Sequence, residues 1–105
     1  MGSRREYVEF ILEQLAALGE VRCRAMMGEY VLYYREKVIG GVYDDRLLLK
    51  PVAAAREALP EAELVVPYAG AKPLLRVDAV DDAPLLQAVV LAMLPLLPEP
   101  KMRRR

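Results

Sequence analysis

The side chains in this sequence that could do chemistry fall into a few groups. Asp44 and Asp45, followed by Arg46, offer hard carboxylate oxygens of the kind that hold a divalent cation. Cys23 stands between Arg22 and Arg24, whose guanidinium groups would favour a thiolate. Tyr7, Tyr30, Tyr33, Tyr34, Tyr43 and Tyr68, interleaved with Arg22, Arg24, Arg35 and Arg46, could stack on nucleic-acid bases. They would equally suit a protein-facing or self-packing surface, where Tyr is enriched. Met26 and Met27 ahead of Gly28 could fill a core gap or form a soft ligand-binding lip. Lys101, Arg103, Arg104 and Arg105 make a basic end that could touch phosphates.

The absences narrow the chemistry further. The chain has no His, Thr, Trp or Asn, and its one Ser is Ser3. Without His there is no ordinary proton shuttle near neutral pH and no imidazole metal ligand. A Ser-His-Asp triad and a Cys-His pair are both excluded. One Cys without His cannot build a structural zinc site. Carboxylate, Lys or Tyr catalysis stays open in principle. No residue pattern marks it, so no catalytic, metal or cofactor residue is assigned.

Each candidate also has a plainer reading. Asp tolerates turn geometry and hydrogen-bonds its own backbone, so Asp44 and Asp45 are expected first as a turn, with Arg46 able to pair with either. Alternation in a strand puts Cys23 on the face opposite Arg22 and Arg24, which predicts a buried, inert thiol. Gly40 and Gly41 fall mid-strand, not before a helix, which argues for a bulge or a close backbone approach and against a phosphate loop. The formal charge is zero, with 15 basic and 15 acidic residues. Setting aside the four basic residues at the end leaves 11 against 15, a mildly acidic body with net charge −4. The basic end is therefore read as a solvated tail or, alternatively, a weak nucleic-acid contact shared with Arg22 and Arg24.

The elements that must position these residues follow from periodicity. Ser3 and Glu6 form a capping-box pattern ahead of a helix carrying Tyr7, Phe10, Ile11, Leu15 and Leu18, with Gln14 and Glu13 toward water and Gly19 as the stop. Val21, Cys23 and Ala25 alternate with arginines as a strand. Residues 30–34, 38–43 and 46–50 read as three more, separated by charged turns short enough to force antiparallel neighbours. Pro51 ends this meander. Residues 53–59 form a short helix, residues 64–66 and 74–77 two strands, and the partly apolar 67–73 loop between them is placed to cover something. Asp81, Asp82 and Pro84 open a last helix that Pro95 breaks. Its stripe of Leu85, Leu86, Val89, Val90, Met93 and Leu94 is too wide for an exposed helix. Either it is clamped within the fold or it packs on a second subunit.

The predicted class is α+β: a mostly antiparallel sheet of about five to six strands with N-terminal, middle and C-terminal helices. One domain over residues 1–98 and a flexible tail over 99–105 are expected from a chain of 105 residues. A lone cysteine, no signal peptide and no apolar run long enough for a membrane span point to a cytoplasmic protein. The Ala, Leu, Arg and Glu richness suggests a thermophile.

The run from Arg24 to Lys50 resembles the N-terminal domain of the TfoX (Sxy) family, linked to competence for DNA uptake in bacteria. Arg24, Met26, Gly28, Tyr30, Leu32, Tyr33, Asp44, Asp45, Arg46, Leu47, Leu49 and Lys50 fit its pattern, and Tyr68, Gly70, Lys72 and Pro73 fit it more loosely. Met27 stands in place of the usual Phe, and Glu29 and Val31 in place of glycines. Full-length members continue into a second, helical domain. The resemblance implies a non-enzymatic regulator, linked to competence or transcription, that works through protein contacts and forms a homodimer. Its family-motif surface would comprise Arg24, Met26, Met27, Gly28, Tyr30, Tyr33, Asp44, Asp45 and Arg46. A small-ligand site or enzyme at Asp44, Asp45 and the tyrosines near the 67–73 loop would instead require a pocket there.

Overall fold

The computed structural model describes residues 2–99. Its first helix, α1 (Arg5–Gln14), is followed by a 3₁₀ turn at Ala16–Leu18 and stopped by Gly19 at φ 65°. Val8, Ile11 and Leu15 on its inner stripe are fully buried. The capping box is not formed. The N-cap position belongs to Arg4, which makes no side-chain cap, and the Ser3 hydroxyl is turned elsewhere. Gln14 also departs from expectation: it is half-buried, donating from Nε2 to the Val80 carbonyl at 2.8 Å.

Strands β1 (Val21–Met26), β2 (Glu29–Tyr34), β3 (Lys37–Val42) and β4 (Leu47–Leu49) form the meander. Helix α2 (Ala53–Ala58), strands β5 (Leu64–Val65) and β6 (Leu74–Val77), and helix α3 (Ala83–Met93) complete the predicted order. All pairings are antiparallel, in one six-stranded sheet ordered β1-β2-β3-β4-β6-β5.

The meander turns on pairs of residues with positive φ. Met27 and Gly28 (53° and 86°), Arg35 and Glu36 (52° and 67°), and Asp44 and Asp45 (55° and 56°) each link two strands. That sign at both central positions matches the twist of paired strands and marks a primed hairpin turn. Asp44 and Asp45 are thus the expected turn. The first turn is tighter than the gap between Ala25 and residue 30 in the sequence reading: β1 runs on to Met26, β2 starts at Glu29, and Met27 and Gly28 alone make the turn. Glu29 and Val31 lie within β2, so the family glycines they replace are not needed for backbone freedom here, while Gly28 keeps the left-handed position.

Gly40 and Gly41 answer to both readings made of them. The β2–β3 register shifts between Leu32 and Tyr33, which pair with Gly40 and Val38 and leave Ile39 as a bulged residue. A Cβ on Gly40 would run into the Leu48 carbonyl oxygen, and one on Gly41 would lie 2.5 Å from the Tyr30 carbonyl oxygen.

The core lies between one sheet face and the three helices. Leu32, Tyr34, Ile39, Val42, Leu47, Leu49, Leu75 and Val77 meet Ile11, Leu15, Ala55 and α3 there. Asp82 caps α3 by accepting from the Leu85 N–H at 3.2 Å. Leu86, Val89, Val90 and Met93 are all buried within this chain, so the wide stripe of α3 is clamped inside the fold. Leu91 and Leu96 stay half exposed. Among the described residues no helix packs on the other sheet face, yet Leu48 and Tyr43 are buried there. The 67–73 loop does cover that face: Pro67, Tyr68 and Ala71 share a cleft of about 210 Å³ with Val31, Val38 and Tyr43. Among the described residues no helix is long and apolar enough to cross a membrane.

Candidate functional site

The N-terminal segment ties two of the hairpin turns together. The Ser3 N–H donates to the Gly28 carbonyl at 2.9 Å, and its hydroxyl donates to Glu29 Oε1 at 2.6 Å. The same hydroxyl oxygen accepts from the Asp45 N–H at 3.0 Å, and the Asp44 N–H donates to Glu29 Oε1, also at 3.0 Å. Asp45 in turn accepts from the Arg4 N–H at 2.9 Å and from Arg4 Nε at 3.0 Å. Asp45 therefore satisfies the N–H of the α1 N-cap from across the fold, the part a Glu in the helix's own first turn plays in a capping box. These bonds hold its carboxyl below the usual carboxylate range, the Arg4 N–H contributing most.

Beside this brace lies a cavity of about 590 Å³ lined by Gly2, Met26, Met27, Glu29, Tyr43 and Tyr68. Met27 is 98% exposed at the turn tip, and Met26 and Tyr68 are exposed as well. The Tyr68 ring tilts against Tyr43 at 6.1 Å between centroids. Burial pushes the Tyr43 phenol above its ordinary pKa, with the Tyr68 and Glu29 charges adding to the shift. A pocket thus exists near the 67–73 loop, but Asp45 faces Arg4. Among the described residues no cluster of three or more His, Cys, Asp or Glu is arranged to hold a metal.

The structure brings Met26, Met27, Gly28, Asp44 and Asp45 of the family-motif surface together around residues 2–4. Arg46 joins them at one remove, donating from Nε to the Tyr43 carbonyl at 3.3 Å. Tyr30 is half-buried against the core, with the Arg5 guanidinium 5.7 Å from its ring centre. Tyr33 lies farther along β2 under the Arg22 guanidinium, at 4.2 Å. Arg22 is also held by both carboxylate oxygens of Glu36, at 2.7 and 3.1 Å, which lowers the Glu36 pKa. Arg24 is exposed and has no ion pair among the described residues. Lys101, Arg103, Arg104 and Arg105 lie outside the described residues. Cys23 is half-buried, not buried, and its sulfur receives Arg5 Nη1 at 3.9 Å.

Sequence reasoning missed Ser3, Arg4 and Glu29 as members of this site. Ser3 lies 26 positions from Glu29 and Arg4 lies 41 from Asp45, and Ser3 carried a local capping pattern that competed with the distant one.

The model of the TfoX N-terminal domain matches residues 13–91. A protein of Spirochaeta aurantia, named as an uncharacterized 12.7 kDa protein in the trpE 5′ region, is 39% identical over 105 residues. That likeness covers 99% of this chain and 91% of the relative. No solved structure matches. The domain match takes in β1 to β6 and most of α3, and with them the braced turns, so this chain belongs to the TfoX N-terminal domain family.

Proposed function

We propose that this chain is a non-enzymatic, cytoplasmic regulator, linked to competence or transcription, that works by protein–protein contact through Met26, Met27 and Tyr68. The observation that carries this reading is Met27, 98% exposed on a turn fixed to the N-terminal segment by the Ser3–Gly28 and Ser3–Glu29 bonds. A turn whose backbone is already held by hydrogen bonds loses little backbone entropy on docking, and Met and Tyr are enriched where proteins meet. The family's link to competence regulation agrees with this role. Self-association is a narrower part of the same reading. With the α3 stripe buried, its support is the exposed Leu91.

Deleting the gene in its native host tests the proposal. Altered transcript levels or DNA uptake, restored by the wild-type chain but not by Met27→Glu, are expected. An unaltered deletion strain, or full rescue by Met27→Glu, overturns it. Light scattering at tens of micromolar concentration separately decides whether the chain dimerises.

A further inference from the structure

A second cavity of about 590 Å³ opens where β4 ends, α2 begins and β6 starts. Its walls are aliphatic, with Val52, Leu64, Leu74 and Leu96 among them, and Leu64 and Leu96 are about half exposed. Three cations from three separate elements rim it: Lys50 after β4, Arg56 in α2 and Lys72 in the 67–73 loop. None of the three has a carboxylate within ion-pair distance among the described residues, whereas Arg4, Arg5, Arg22, Arg35 and Lys37 each have one and Arg76 has two; Arg24 and Arg46 are also unpaired, but neither lines this cavity. The residues outside the description carry no Asp or Glu. Uncompensated positive charge is thus gathered at one place on a body whose net charge is negative.

We infer that this groove binds an acidic segment of a partner protein bearing aliphatic side chains. Cations around an apolar floor complement a peptide whose carboxylates flank a Leu, Ile or Val, the apolar residue giving adhesion and the charges orientation. The chain's own basic end carries the same sign as the rim and so offers it no complementary charge. Nucleic acid suits the rim but not the floor, which has no aromatic ring on which a base could stack. A few cations are also weak phosphate anchors at physiological salt.

The test is fluorescence anisotropy on the full chain with a labelled peptide of alternating Glu and Leu. Matched Glu–Ser and Gln–Leu peptides and a single-stranded oligonucleotide of equal charge serve as comparisons. The Glu–Leu peptide is expected to bind at least about tenfold tighter than the others, and about tenfold more weakly to Lys50→Glu/Lys72→Glu. Amide shifts should centre on Lys50, Val52, Leu64 and Leu74, and the variant's spectrum verifies that it folds. Met27→Glu should leave this binding unchanged, so the outcome is independent of the Met27 reading. Equal binding of the Gln–Leu or Glu–Ser peptide, tighter binding of the oligonucleotide, or indifference to Lys50→Glu/Lys72→Glu overturns the inference. Shifts in the same residues on concentrating the protein alone would assign the groove to a second copy and overturn it too.

Discussion

Asp45 accepts two hydrogen bonds from Arg4, one from its backbone and one from its guanidinium, across 41 positions of sequence. One carboxylate thereby ties the N-cap of α1 to the β3–β4 turn. The brace is completed by the Ser3 hydroxyl, which reaches Glu29 and Asp45 together.

Ser3→Ala removes both hydroxyl bonds and leaves Glu29 with the Asp44 N–H. It should lower stability by roughly 1–2 kcal/mol, given about 1 kcal/mol for a hydrogen bond and more where a charged group takes part. Urea unfolding measures it. The amides of Asp45 and of the first turn of α1 should exchange faster while those of α3 do not, since the loss is local.

Acid should weaken the brace, and the sign follows from Asp45. Its folded pKa is lowered, so protonation favours the unfolded chain. Its stabilisation is present above the unfolded value of about 4 and is lost as pH falls through the lower, folded value. Glu36, lowered by Arg22, acts in the same direction. The urea midpoint of the wild type should therefore fall more steeply than that of Asp45→Asn as pH drops below about 4. Parallel curves for the two proteins would refute this.

Gly40→Ala should be among the most damaging single changes. The added carbon meets backbone of β4 on a rigid bulge, at a φ of 154° that side-chain-bearing residues rarely adopt. A loss of about 3 kcal/mol is expected from forced backbone movement plus strain. Thermal unfolding of Gly40→Ala beside Ala69→Gly, in the exposed 67–73 loop, gives the comparison.

Met27→Asn separates stability from function. Met27 sits at φ 53°, where Asn is better tolerated than a long apolar side chain. The substitution should raise stability by roughly 0.5–1 kcal/mol, since left-handed strain costs about 1–2 kcal/mol for most residues. Rescue of the deletion strain should nonetheless be lost. A stabilised variant that rescues fully would remove Met27 from the contact.

Much of the architecture was legible because its signals are local. Period-2 alternation and charged turns gave the meander, and Asp82 with Pro84 gave the start of α3, whose cap bond is present. The middle glycines were readable as a bulge or close approach, since glycine inside a strand has few other uses. The first hairpin was less legible: a turn as short as Met27 and Gly28 is hard to see when both flanking runs continue the strand pattern.

The α+β class, the order of elements, the family resemblance and the exclusion of histidine chemistry can all be read from the chain alone, since they rest on neighbours or on composition. What Ser3, Glu29 and Asp45 do depends on the folded chain, because their partners are brought close by the sheet and not by sequence neighbourhood. The fold also decided that the stripe of α3 is spent inside it. And it decided that Lys50, Arg56 and Lys72 share one groove, since Coulomb energy depends on distance in space and three cations scattered along a chain give no sign of meeting.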